Sequence, residues 1–387
     1  MVKRKICVVI TARPSYARIK TALEAINNHP DLELQLIVAA SAIIGRYGDV
    51  SRVIQADGFQ ITAKVMTLVE GENTESMAKT TGLGILELST LFSSINPDVV
   101  ITVADRYETI ATAITAAYLN IPLVHIQGGE VTGSIDEKVR HAITKMSDFH
   151  LVSNEDARRR VLRMGENENR VINTGCPSID LAKVSLDLPP LCLADVVSQY
   201  GGVGAEIDPH QDYIIVMQHP VTTEHSMALK QIRETITAVH SSGIQVLWFW
   251  PNPDAGSDGT SKGIRTFREG TPNNRIHFFK NMEPESFLRL LRKSRCIVGN
   301  SSVAIRECAY LGVPAVNIGS RQSNRQRGPN VLDVPYVAAE ILAAIKTQIQ
   351  KFGKLDRDNL YGDGEAGVRI ADYCARMPLI SEKHITF

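Results

Sequence analysis

Twice along this chain, short β-rich runs alternate with amphipathic stretches long enough for helices, and a polar, proline-containing stretch separates the two halves. In the first half the order is ICVVIT, Ala17 to Asn28, LELQLIVAA, Thr74 to Ser94, DVVITV, Glu108 to Leu119, PLVHI, a helix after Ser134, then FHLVS and RVINTG. In the second it is YIIVMQ, Glu224 to Ser241, QVLWFW, a helix, RIHFF, Glu283 to Lys293, CIVG, Val303 to Leu311 and PAVNI. Parallel strands cannot be joined by a tight turn and need a crossover, usually helical, so the alternation predicts βαβ units on a parallel sheet. Between the halves, Leu186 to Gln211 carries Pro189-Pro190, Gly201-Gly202 and Asp208-Pro209 and reads as a linker. The expected organisation is α/β, with two Rossmann-like doubly wound domains at 1–185 and 186–368. A C-terminal helix and tail, 369–387, is expected to pack back on the first domain.

Composition narrows the function. A chain of 387 residues has room for about two domains. Lysine plus arginine equals aspartate plus glutamate at 42 each, so no overall field draws nucleic acid or an anionic membrane, and any anion must be bound locally. The apolar run Ile6 to Ile10 is too short for a signal-peptide core, and no window nears the roughly 18 apolar residues of a membrane span. Six scattered cysteines without a CxxC pair suit a reducing cytoplasm. The histidines lack metal-ligand spacing and do not cluster with the cysteines, so no structural or catalytic zinc is expected; no cofactor is expected either.

Open α/β sheets bind ligands at the carboxyl ends of their strands, which directs attention to the residues just beyond each run. The string HIQGGEVTGSIDEKVRHAITK, from His125 to Lys145, delivers Gln127-Gly128-Gly129-Glu130 at such an end, and Ser134 to Glu137 reads as a capping box. Asp136, in the first turn of that helix, either serves the helix dipole and pairs with Arg140 or remains ionised as a base or electrostatic stabiliser. Glu130 either approaches a substrate behind its two glycines or merely follows a turn; His125 and His141 read as packing or supporting groups. Arg13 and Asp105-Arg106 stand at the same rim, Asp105 being either chemical or only a helix N-cap. His219 occupies the matching rim position in the second half. There Asn300-Ser301-Ser302 open a predicted helix where N–H groups, hydroxyls and dipole favour an anion, unless they simply cap it. Glu307 lies further along as a candidate for a ribose diol, and Arg321 as a partner for a diphosphate.

Two α/β domains of similar size match the architecture called GT-B. The segments DRYETIATA, HIQGGEVTGSIDEKVRHAITK, QHPVTTE, PNPDAGS, GNSSVAIRE, GSRQSNR and YGDG, in this order, resemble the hydrolysing UDP-N-acetylglucosamine 2-epimerases of sialic acid biosynthesis. They also resemble the epimerase half of the bifunctional animal enzyme. The resemblance implies conversion of UDP-GlcNAc and water to ManNAc and UDP through a 2-acetamidoglucal, without a metal, in a homodimer or homotetramer. It implies acid and base roles for Asp105 and Asp136, with Arg13 and His219 near the sugar and diphosphate and Gln127 and Glu130 on the sugar side. UDP then falls to Asn300, Ser301, Ser302, Glu307, Arg321 and Arg106. Three positions depart from the family pattern: HIQGGE has Gln127 for a usual glutamate, R-P-S-Y has Ser15 for an acid, and Ala104 replaces a glycine before Asp105. They imply redistributed acid and base duties, a different sugar, or weakened catalysis. A catalytically impaired UDP-sugar binder and a glycosyltransferase on the same fold are the alternative readings.

Overall fold

The computed structural model describes residues 2–45, 49–71, 73–103, 106–132, 135–251, 255–271 and 274–386. The chain forms two compact units, one of residues 1–130, 135–181 and 361–387, the other of 182–360 with the short segment 131–134. Their boundaries differ from the expected 1–185 and 186–368, because the break falls inside the helix Pro177–Asp187 and the chain returns to the first unit at Tyr361.

The first unit is built on β1 (Arg4–Ile10), β2 (Leu32–Ala39), β3 (Ile61–Val65), β4 (Val99–Val103), β5 (Leu123–Ile126), β6 (Phe149–Val152) and β7 (Val171–Asn173). They pair in the order β3-β2-β1-β4-β5-β6-β7, all parallel. Sequential pairing reverses between β1 and β4, the topological switch point of a doubly wound sheet. Strands such as VVITV are buried along their whole length, as strands covered on both faces must be.

The second unit holds β8 (Val203–Gly204), β9 (Tyr213–Met217), β10 (Gln245–Phe249), β11 (Ile276–Phe279), β12 (Ile297–Gly299), β13 (Ala315–Ile318) and β14 (Val331–Val334). The order is β14-β13-β12-β9-β10-β11-β8, parallel except for β8, which runs antiparallel to β11, and the switch point lies between β9 and β12.

The stretch Leu186 to Gln211 is not the plain linker its composition suggests. It contains the helix Leu193–Tyr200 and the edge strand β8. Its proline-rich start is pinned by guanidinium groups: Arg292 donates to the carbonyls of Ser185 at 2.7 Å and Leu188 at 2.9 Å, and Arg289 to that of Pro189 at 2.8 Å. Gly202 is a packing residue, since a Cβ there would lie 2.2 Å from His277 Nε2. The C-terminal helix Ala366–Arg376 packs against Arg13–Asn28, where a Cβ on Gly367 would come within 2.7 Å of the Thr21 carbonyl. Asp180 caps it, accepting from the N–H groups of Ala366 at 2.9 Å and Gly367 at 2.6 Å.

Candidate active site

In the second unit the switch point is closed by one side chain. The Asn300 carboxamide accepts from the His219 N–H at 2.7 Å and donates to the His219 carbonyl at 2.8 Å, while the Asn300 N–H donates to the carbonyl of Met217 at 3.1 Å. Only glycine fits before it: Gly299 has φ +136°, and a Cβ there would stand 2.1 Å from the Met217 carbonyl oxygen. The ends of β9 and β12 are therefore stapled together. The carboxamide of Asn300, a residue expected among those that bind UDP, is committed here to the backbone of His219.

Beyond the staple the predicted helix Val303 to Leu311 is broken. A 3-10 turn, Ser302–Ala304, leads through Arg306 (φ −92°, ψ −70°) into the short helix Glu307–Leu311. Ser301 Oγ accepts from the Val303 N–H at 3.4 Å, a capping contact, and Ser302 Oγ accepts from Arg306 at 2.8 Å. Glu307 thus opens a helix instead of lying within one. It is buried, and its Oε2 has no hydrogen-bond partner among the described residues. A buried carboxylate oxygen without a donor is costly unless a ligand supplies one. Arg321 and Gln322, in the loop after β13, donate to the Asn300 carbonyl at 3.2 and 2.9 Å, which seats the Arg321 guanidinium at the same strand end. Gln322 and Arg306 escape a reading by strand ends alone, since each is buried and acts on the backbone or on Ser302.

In the first unit, Arg13 is half-buried as the first residue of the helix after β1. Asp105 and Ser134 lie outside the described residues. Arg106 is buried and paired with buried Glu108 at 2.7 Å. After β5, Gln127 turns the chain with φ +64°, uncommon for a side-chain-bearing residue. Its Nε2 donates to the buried Cys176 sulfur at 2.9 Å, and Cys176 in turn contacts Ser178 Oγ at 3.0 Å. Glu130 is buried too: its carboxylate accepts from Ser153 Oγ at 2.6 Å and its carbonyl from Arg140 at 3.2 Å. Of the two readings of Glu130, these contacts favour the residue that follows a turn. The glycines fit close packing, for a Cβ on Gly129 (φ +76°) would sit 2.3 Å from the Ala157 carbonyl oxygen. Asp136, half-buried, stands in the first turn of the helix Ile135–Met146.

The sequence profile of the UDP-N-acetylglucosamine 2-epimerase family matches residues 24–375. A protein of Legionella pneumophila named UDP-N,N'-diacetylbacillosamine 2-epimerase (hydrolyzing) is 33% identical over 98% of this chain and 97% of its own. The chain belongs to the UDP-N-acetylglucosamine 2-epimerase family. Another relative, a UDP-N-acetylglucosamine 2-epimerase of Neisseria meningitidis serogroup B, is 33% identical over 94% of this chain and 92% of its own. Among solved structures, a UDP-GlcNAc 2-epimerase from Neisseria meningitidis bound to UDP-GlcNAc superposes with a TM-score of 0.79 at 19% identity. It covers 95% of this chain and 98% of its own, a likeness of fold. Within this 2-epimerase family member, the described residues include no trio of His, Cys, Asp or Glu grouped as metal ligands and no helix long and apolar enough to cross a membrane.

Proposed function

We propose that this chain is a hydrolysing 2-epimerase, converting UDP-GlcNAc or a close UDP-acetamido sugar plus water to N-acetylmannosamine or its analogue and UDP. In the first step a carboxylate takes the C2 proton while the C1–O bond breaks and UDP departs. In the second, water adds across the resulting C1–C2 double bond, hydroxyl to C1 and a proton to the opposite face of C2. Asp105 and Asp136 act as base and acid. Arg13 and His219 attend the sugar and diphosphate, and Arg321 stabilises the departing charge. Ser301 and Ser302 hold phosphate, and Glu307 accepts from the ribose diol.

The observation that carries the reading is the buried Glu307 oxygen, at the start of the short helix that follows β12, which lacks a donor among the described residues. A ribose diol supplies what it lacks. Further support comes from the Legionella relative, whose name specifies a hydrolysing reaction on a diacetamido sugar. Gln127 and Glu130, both spent on interior partners, are given positioning duties and no proton transfer.

The test is incubation with UDP-GlcNAc, and separately with a UDP-diacetamido sugar, in deuterated water. Free N-acetylamino sugar carrying solvent deuterium at C2 is the expected product. UDP release only when an acceptor is added, with C2 untouched, would mean a glycosyltransferase; binding without release would mean a nucleotide-sugar binder. Asp105→Asn is expected to lower turnover at least a hundredfold, the range of a lost acid or base, with UDP affinity kept. Normal turnover in that variant removes Asp105 from the mechanism.

A further inference from the structure

The helix that carries Asp136 in its first turn ends in a cluster of charges that the reaction does not use. Glu166 is buried, and its Oε1 accepts from Lys145 at 2.6 Å while its Oε2 meets His150 Nε2 at 3.0 Å. A second lysine enters from the far end of the chain. Lys383 lies 2.7 Å from Glu166 Oε2 and donates to the Thr144 carbonyl at 2.9 Å and to the Ser147 carbonyl. Glu166 already has two partners without it. What Lys383 adds is a cation at the carboxyl end of the helix Ile135–Met146, where unpaired carbonyls and the negative end of the dipole accumulate.

The segment that delivers Lys383 is itself tied down. Thr386 N–H donates to the Gly165 carbonyl at 2.9 Å, Arg170 donates to the Glu382 carbonyl at 2.7 Å, and the Ile385 side chain lies 2.8 Å from where a Gly165 Cβ would be. From the helix end the ties run toward the β5 exit. Thr144 Oγ1 meets His125 Nδ1 at 3.1 Å, that ring packs on Gly128, and Arg140, one turn back, donates to the Glu130 carbonyl.

We propose that Lys383 is a positioning residue for the reaction, strapping the carboxyl end of the helix whose first turn presents Asp136. A helix of twelve residues transmits a shift at one end to the other nearly as a rigid rod, and a reacting carboxylate must be held within about 0.5 Å. The inference rests on the reading of Asp136 as acid or base.

The experiment uses the full chain with Lys383→Met and Lys383→Arg, both expected to fold because Glu166 keeps Lys145 and His150. Lys383→Met should lower kcat roughly ten- to hundredfold, the cost of a misplaced group, with the Kd for UDP within about twofold of the unaltered chain. Hydrogen exchange should quicken across residues 135–146, and Lys383→Arg should restore most of kcat. Unchanged kcat and exchange in Lys383→Met overturn the proposal. So does a fall in UDP affinity in step with kcat, or no rescue by arginine. If the unaltered chain shows no 2-epimerase activity, the proposed function fails on its own, and hydrogen exchange still decides the strap.

Discussion

The exits of β5 and β12 use the same vocabulary, a short apolar strand, a glycine at positive φ, polar residues and a helix start, and they spend it in opposite directions. After β5, Gln127 turns to Cys176, Glu130 to Ser153, and Arg140 reaches back to the turn, all inside one unit. After β12, Asn300 and Gln322 lock the backbone, and the acid that follows, Glu307, keeps an oxygen with no donor among the described residues. A run of acids and glycines is therefore no measure of chemistry. Both exits leave a buried polar atom unpaired among the described residues, His125 Nε2 after β5 and Glu307 Oε2 after β12; what separates them is that only the second is a carboxylate oxygen.

The sharpest way to break this contrast is at the frame. Gly129→Ala forces a Cβ to within 2.3 Å of the Ala157 carbonyl in a φ +76° conformation, combining overpacking with left-handed strain. A loss of about 3 kcal/mol is expected in urea unfolding. A loss under about 1 kcal/mol would mean that the turn after β5 has room and is no frame. At the other exit the loss should fall on binding. Glu307→Ala removes a charged acceptor, so the Kd for UDP should rise roughly ten- to hundredfold by calorimetry, with stability unchanged or improved because a buried unpaired oxygen is gone. An unaltered Kd would place the ribose elsewhere and leave the β12 exit as frame too.

The fold was readable because parallel sheets write themselves as alternation: every strand from β4 to β7 and from β9 to β13 coincides with an apolar run. What escaped was short or carried by glycine. β8 is two residues whose glycines look like linker punctuation, and β3 (ITAKV) and β14 (VLDV) are half-exposed edge strands with mixed composition. At the site, strand ends pointed to the right positions but not to the fate of each side chain. Asn300 has the composition of an anion ligand, and only the distance to His219 shows it to be a staple. Gln127 looks like a lost catalytic acid until its partner, Cys176, is seen 49 residues away in sequence. Such pairings depend on register between strands, which local pattern does not encode.

The smallest expected effect is acid sensitivity, and it should fall on the first unit. Burial drives His125 and His150 below the ordinary histidine value of 6.5, so as pH falls the unfolded chain takes up protons there before the fold does. Stability is then lost as pH falls below about 6.5. Burial alone would raise Glu166, yet hydrogen bonds from His150, Lys145 and Lys383 outweigh it and hold the carboxyl at about 2. Its contribution is complete above 4.5 and disappears on the way down to 2. Asp148 and Asp180, raised by burial, act in the opposite sense above 3.8, so the histidines are read most cleanly in the window just below pH 6.5. Native-state hydrogen exchange across that window should show β5 and β6 losing protection before β9 and β12. If the second unit opens first, the buried histidines behind the β5 exit are not what limits stability in acid, and the first unit is the sturdier of the two.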